Sequence, residues 1–429
     1  MLNKLAFLKQ LVKIDDMTWH SLVIITLSIL IHTLILVLVF ESGIYGTEGN
    51  PDINRYFNYS VSIAHGQLPY RDFTVEYPPL ALAFFTLPHL VAPTLHMYQY
   101  VFAAQILFFD LLGLFLISAL SRRLGFHLAG TLALYTLALL AIGPIIINRY
   151  DLIPAIMVLV SLYAFSRNKH KLSWVFLALG MMTKIYPVII APIFLLYYFH
   201  HRQYRHIVIG VSTFIITTAI IIAPWLVISP DGFWYCFSYH AERGLQLEST
   251  YSSFLWLGHT LGITSIHVEE ILNVQTVTSP LADMLATISP IVMTLSAGVI
   301  YWAFYNSQRA KANIESQSSS TARSDIANIT SYSFLVILTF MLTNKVFSPQ
   351  FIIWLYPLIP LIAGQWRHPS WIVFLLVSVL TYYVFPQHYG GLIQGNFKMV
   401  AILLSRNILL IALACLLLDW KRLIPTYRG

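Results

Sequence analysis

The densest set of groups able to move a proton lies between Glu41 and Pro79, in a polar, aromatic island flanked by long apolar runs. It carries five carboxylates (Glu41, Glu48, Asp52, Asp72 and Glu76) and only two cations, Arg55 and Arg71. A carboxylate held beside a substrate hydroxyl can take its proton as a general base. Asp52 follows Asn50-Pro51 and precedes Ile53-Asn54-Arg55-Tyr56. A Pro-led start with an acid in the first turn is equally ordinary helix capping, so both readings stand at this point. Asp72, in Pro69-Tyr70-Arg71-Asp72-Phe73, also reads as a turn with a local Arg–Asp pair. Glu76, before Tyr77-Pro78-Pro79, sits in an extended lead-in to the next helix.

A second set of candidates consists of charges inside or at the ends of apolar runs. They are Arg149-Tyr150-Asp151, Thr183-Lys184-Ile185-Tyr186-Pro187, Asn344-Lys345-Val346-Phe347-Ser348-Pro349-Gln350 and Arg243-Gly244-Leu245-Gln246-Leu247-Glu248-Ser249. A charge at mid-membrane costs about 2.5–3.5 kcal/mol on the mild scale, so it usually faces a cavity or a partner. A local pair fixing a helix end would also account for Arg149 and Asp151, and snorkelling to the interface for Lys184 and Lys345. Short segments broken by Pro and Lys at matching depth favour a polar cavity. Asp110, in mid-span, is a cavity residue or a partner for a neighbouring helix, and Arg406 in the last span has no assigned place. The aromatic side chains near the island could stack on sugar rings or form an interfacial belt. No histidine pair has a convincing metal spacing; His200-His201 lies in a basic loop. There is no Gly-rich phosphate loop and no Ser-His-Asp set, so neither a metal nor a cofactor is expected.

These residues must be positioned by membrane helices. The 429 residues are 58% hydrophobic and 10% charged, against roughly 25% charged in a soluble domain. Apolar runs near 20 residues imply an all-α polytopic protein. We expect about twelve spans, near Ser21–Phe40, Met97–Leu120, Leu128–Ile147, Leu152–Phe165, Ser173–Thr183, Pro187–Phe199, Ile207–Ile228, Leu281–Tyr305, Tyr332–Thr343, Phe351–Ala363, Trp371–Phe385 and Val400–Leu418. Leu80–Val91 is too short to cross and reads as a juxtamembrane helix within an outer loop over 41–96. Residues 1–20 suit an amphipathic cytoplasmic segment, the first apolar run a retained anchor, and 306–331 a flexible Ser-rich cytoplasmic loop. The whole of 1–429 reads as one integral-membrane domain. The net charge of +7 reflects cations concentrated in the inner segments rather than affinity for nucleic acid. This positive-inside bias puts both termini in the cytoplasm and the acidic island outside, at the cell membrane. Cys236 and Cys415 then fall on opposite faces, which argues against a disulfide between them.

Taken in order, Asp52-x-x-x-Tyr56, Gly66-x-x-Pro69-Tyr70-x-Asp72-Phe73, Glu76-Tyr77-Pro78-Pro79 and the four charged motifs above resemble glycosyltransferase family 87. Those are integral-membrane mannosyltransferases of the GT-C superfamily that use a polyprenyl-phosphate-mannose donor. The resemblance spans about residues 20 to 360. It implies a GT-C-type bundle, and a general base in the first outer loop, where Asp52 stands. A sugar phosphate leaves as a stable anion, so one base suffices and cations must meet the charge on phosphate. Lys184, Lys345, Arg149 and Arg243 are the cations available for it. Tyr56, Asp72, Glu76, Tyr77, Asp151, Tyr186, Glu248 and Gln350 are candidates for substrate contact or loop shaping. The expected reaction is inverting, metal-independent transfer of a hexose, mannose, to a lipid or glycan acceptor on the outer face. Partners would be the polyprenyl-phosphate sugar, a lipid-linked or glycan acceptor and the bilayer, with no nucleic acid. A multi-pass secondary transporter and a polymerase or ligase of lipid-linked glycans are the alternatives.

Overall fold

The computed structural model describes residues 19–41, 51–312, 321–363 and 368–418. Glu48, nearly all of the amphipathic segment expected over 1–20 and the 313–320 part of the Ser-rich loop lie outside the described residues.

The chain begins with α1 (Trp19–Glu41), α2 (Pro51–Ala64), α3 (Pro79–His89), α4 (Leu95–Leu124) and α5 (Leu128–Ile142). It continues through α6 (Leu152–Ser166), α7 (His170–Thr183), a 3-10 turn (Tyr186–Ile190), α8 (Ala191–His200), α9 (Tyr204–Ile228) and α10 (Pro230–Glu242). Strand β1 (Leu245–Gln246), α11 (Thr250–Thr260), β2 (His267–Ile271) and β3 (Val274–Thr278) follow. The remainder is α12 (Pro280–Ala312), α13 (Thr321–Thr343), α14 (Ile352–Leu355), α15 (Ile359–Ala363), α16 (Ser370–Tyr382), α17 (Tyr389–Ile393) and α18 (Phe397–Leu417).

Among the described residues eight helices are long and apolar enough to cross a bilayer: α1, α4, α5 with its 3-10 extension, α9, α12, α13, α16 with its continuation to Gln387, and α18. The protein is thus a multi-pass α-helical membrane protein. The other four expected spans coincide with short or interrupted helices: α6, α7, the run 186–200, and α14–α15. Length separates the two groups, since a crossing takes roughly 20 residues at 1.5 Å rise.

Burial follows composition. Helix α6 is apolar all round and buried along almost its whole length, as a helix without a polar face must be unless lipid covers it. It packs between α4 and α7. By contrast only 6% of the most apolar stretch of α9 and 17% of that of α12 is buried, so their Ile, Val and Leu faces meet hydrocarbon. Helix α4 stops cleanly because Gly125 takes φ +61° and its amide returns to the Arg122 carbonyl, a left-handed cap open to glycine.

The breaks that matter for chemistry share one end of the bundle. Lys184 leaves α7 in extended backbone, with Pro187 packed against Gly180. Residues 344–351 separate α13 from α14. Over these ends lies a small antiparallel sheet in the order β1–β3–β2. Leu272 and Asn273 turn the β2–β3 hairpin, both with positive φ, as a tight two-residue turn requires.

Candidate functional site

A cavity of about 520 Å³ opens where these ends meet, lined from α2, the loop before α3, the starts and ends of α6, α7, α10 and α13, the sheet, and the segment after α16. Asp52, Glu76, Tyr77, Arg149, Lys184, Tyr186, Arg243, Glu248 and Gln350 all line it. Residues as far apart in sequence as Asp52 and Tyr389 therefore share one space.

Asp52 sits in the first turn of α2 and forms an ion pair with Arg149. Arg149 in turn lies over the Phe385 ring, 5.7 Å from its centroid. Glu76 is differently held: Arg55 Nη1 donates to Oε1 at 2.9 Å, and the Tyr59 hydroxyl donates to Oε2. Both oxygens of Glu76 are thereby engaged by neighbours within its own segment.

Lys184 has a buried counter-ion. Its ammonium donates to Asp151 Oδ1 at 2.5 Å, and the same oxygen accepts from Trp354 Nε1 at 2.7 Å. Tyr150, Phe351 and Trp354 present rings 4.8–5.5 Å from the ammonium, while Tyr186 stacks on Trp354 at 4.1 Å. An ammonium boxed by aromatic faces is desolvated but still cationic where a carboxylate backs it.

Helix α10 supplies the third cation. Arg243, at its end, covers the Tyr239 ring at 5.0 Å. His240, which also lines the cavity, donates from Nε2 to the Glu76 carbonyl at 3.2 Å. Burial, with Arg243 and Lys184 nearby, holds the imidazole down at about 4, so it is neutral at neutral pH. Helix α10 can approach this closely because Gly232 has no side chain; a Cβ there would meet the Tyr70 carbonyl oxygen at 1.7 Å.

Four expected site residues do not line the cavity. The Lys345 ammonium donates to the Ala241 carbonyl at 2.6 Å, tying the 344–351 loop to α10 instead of joining Lys184 and Arg149. Tyr56 is buried beneath the site, stacked on Phe85 at 4.1 Å and edge-on to Tyr77 and Tyr150. Asp72 accepts from Arg71 Nε at 2.8 Å and from the Leu68 amide at 2.7 Å, which closes the turn that presents Tyr70. Asp151 stands behind Lys184, its side chain 1% exposed.

Sequence reasoning passed over His240, Glu270, Trp354 and Tyr389, all cavity-lining. His240 alone left a signal, one helical turn before Arg243. Asp110 is absorbed elsewhere: it accepts from Tyr135 and Tyr356, both at 2.9 Å, and pairs with His32 at 2.6 Å in a network joining α1, α4, α5 and the 352–363 segment. Among the described residues no group of three or more His, Cys, Asp or Glu is arranged to hold a metal ion.

Four carboxylates (Asp52, Glu76, Glu248 and Glu270) and four cations (Arg55, Arg149, Lys184 and Arg243) line an aromatic-walled recess, which suits an anionic group joined to a hydroxyl-bearing one. Residues 73–322 match glycosyltransferase family 87. The chain is 26% identical over 331 residues to GPI mannosyltransferase 1 of Kluyveromyces lactis, covering 73% of each chain. Among solved structures it is similar to ArnT from Cupriavidus metallidurans in the apo state, with a TM-score of 0.48 and 13% identity, over 90% of this chain and 77% of that one.

Proposed function

This chain belongs to glycosyltransferase family 87 and is a membrane glycosyltransferase, and we propose that it transfers mannose from a polyprenyl-phosphate donor to a lipid or glycan acceptor by inversion, with Asp52 as general base. The observation that carries this reading is the convergence of Asp52, Arg149, Lys184 and Arg243 on one cavity. The likeness to a GPI mannosyltransferase supports mannose as the sugar.

In this mechanism the donor phosphate lies among Lys184, Arg149 and Arg243, with its polyprenyl chain still in hydrocarbon. Asp52 takes the proton of the acceptor hydroxyl as that oxygen attacks the anomeric carbon on the face opposite the phosphate. The carbon–oxygen bond to phosphate breaks, and the electron pair leaves on a phosphate already anionic. No acid is needed at that oxygen, unlike glycoside hydrolysis, where the leaving alcohol must be protonated. The cations meet the charge that grows on the leaving group. A β-linked donor gives an α-linked product. The distribution of cations along the chain supports an outer-face site with both termini cytoplasmic.

The test is to incubate purified protein with short-chain polyprenyl-phosphate mannose and candidate acceptors, and to identify products by mass spectrometry. An α-mannosylated product formed equally with and without chelator is expected. Absence of transfer from every lipid-phosphate sugar would refute the donor, and loss of activity to chelator with rescue by a divalent ion would refute the metal-free step.

A further inference from the structure

We propose that Glu248 reads the sugar of the donor, its carboxylate accepting a hydrogen bond from a hydroxyl of the transferred hexose. The inference rests on the donor reading above and assigns a specificity residue within that site.

Glu248 lines the cavity yet is only 2% exposed. Its Oε2 atom is buried with no hydrogen-bond partner. An unmatched buried acceptor is costly, and more so when charged, so the protein maintains here an oxygen that a ligand must satisfy. Tyr389 and Gln246 also line the cavity, and the Gln246 amide is held by Ser348, donating from Nε2 to its hydroxyl at 3.0 Å.

The main chain behind it is pinned. Arg406, wholly buried in α18, donates from Nη2 to the Glu248 carbonyl at 2.5 Å. Asn407 Nδ2 donates to the Ser249 carbonyl at 3.2 Å, and Asn407 Oδ1 accepts from Arg406 at 2.8 Å. Ser249 Oγ accepts from the Ser252 amide at 3.1 Å, capping α11. Arg406 thus spends its charge on the backbone and leaves the Glu248 side chain aimed at the cavity. Such a rigid support is what a discriminating contact requires.

Charge identifies the ligand group. A carboxylate repels phosphate, which the cations attract, and the acceptor hydroxyl belongs at Asp52. The sugar is bonded to the phosphate and must lie in the same cavity, and its ring hydroxyls are neutral donors. A site built to hydrogen-bond a hydroxyl rejects ligands lacking it far more strongly than an apolar pocket could.

The experiment compares wild type, Glu248→Gln and Glu248→Asp for binding of polyprenyl phosphate and of polyprenyl-phosphate mannose, by quenching of tryptophan fluorescence, alongside thermal melting. Glu248→Gln should bind polyprenyl phosphate as wild type does and lose about tenfold to a hundredfold in affinity for the sugar-bearing lipid. Its melting temperature should equal or exceed wild type, because a buried charge has been removed; a merely structural residue would melt lower. Glu248→Asp should fall between. Equal losses for both lipids, unchanged binding of both, or a raised acceptor KM with normal donor binding would each overturn the assignment. If wild type binds neither lipid, the donor reading fails separately. Protection by methyl mannoside, present in wild type and lost in Glu248→Gln, would then still support sugar contact, and equal protection would overturn it.

Discussion

Replacing Asp52 by Asn separates two roles that the geometry combines, because Asp52 is both the proposed base and the ion-pair partner of Arg149. The two side chains are 16% and 11% exposed, between the exposed and fully buried limits. Exposed pairs contribute about 0–1 kcal/mol, and removing one partner of a buried pair costs about 3–5 kcal/mol. Asp52→Asn should therefore destabilise by roughly 1–3 kcal/mol, reading as a few degrees in melting. Loss of a general base should lower transfer by at least about 10² to 10⁴. Donor affinity should hold or improve, since Arg149 is released towards phosphate and a nearby anion has gone. The double variant Asp52→Asn with Arg149→Gln isolates the structural role: stability should largely return, while transfer stays lost because both the base and a phosphate cation are gone. The assay is product formation from polyprenyl-phosphate mannose, with donor binding and melting measured on the same preparations. Transfer by Asp52→Asn within about tenfold of wild type would refute the base assignment. So would a double variant whose activity recovers in step with its stability.

Three further outcomes follow from particular contacts. Lys184→Met strands buried Asp151 without its cation, so it should melt lower and raise the donor KM. Adding Asp151→Asn should restore melting but not donor binding, and restored binding would remove Lys184 from the phosphate site. Gly232→Ala drives a Cβ into the Tyr70 carbonyl, a backbone atom that cannot turn aside, and should disable both folding yield and activity. Gly298→Ala, at a position with open space around it, serves as the control, and equal tolerance of both changes would contradict the packing. His240 is held at about 4 in the folded protein against an ordinary 6.5, so the folded state binds fewer protons between those values. Its contribution to stability is complete above pH 6.5 and declines by roughly 3 kcal/mol as pH falls to 4. Melting from pH 7.5 to 4.5 should show that loss, and His240→Gln should flatten it; identical slopes would exclude His240 as the source.

The parts of the site legible in the sequence were those where charge contradicts its surroundings. Lys184 and Arg149 stand out because apolar runs seldom tolerate a cation, and Asp52 because its island is acidic. What escaped was partnership. Arg406 satisfies a main-chain carbonyl 158 positions away, and no residue type marks a carbonyl in a sequence. Asp110 meets His32, Tyr135 and Tyr356, hydroxyls and an imidazole scattered through ordinary spans. Lys345 looked equivalent to Lys184 because both interrupt paired short segments, yet it turns to a carbonyl of α10. Tyr389 and Trp354 were hidden among aromatic residues that an interfacial belt would explain as well.

The short helices that blurred the span count also explain why a cavity exists. Helix α6 has 15 residues, about 22 Å of helix at 1.5 Å per residue, against an apolar thickness of about 30 Å. Packed among α4 and α7, it falls roughly 8 Å short of the full depth. Arg149, Tyr150 and Asp151 stand at the start of α6, Lys184 at the end of α7, and both Arg149 and Lys184 line the cavity. Irregular backbone at membrane depth is tolerated only inside protein or around a polar space, so the breaks and the recess require each other. Lengthening α6 by one apolar turn after Asp151 would carry that cluster about 5 Å outward and part Asp151 from Lys184. Transfer should then disappear from a protein that still inserts in the membrane. Retained activity in that variant would mean that the recess does not depend on the shortness of α6.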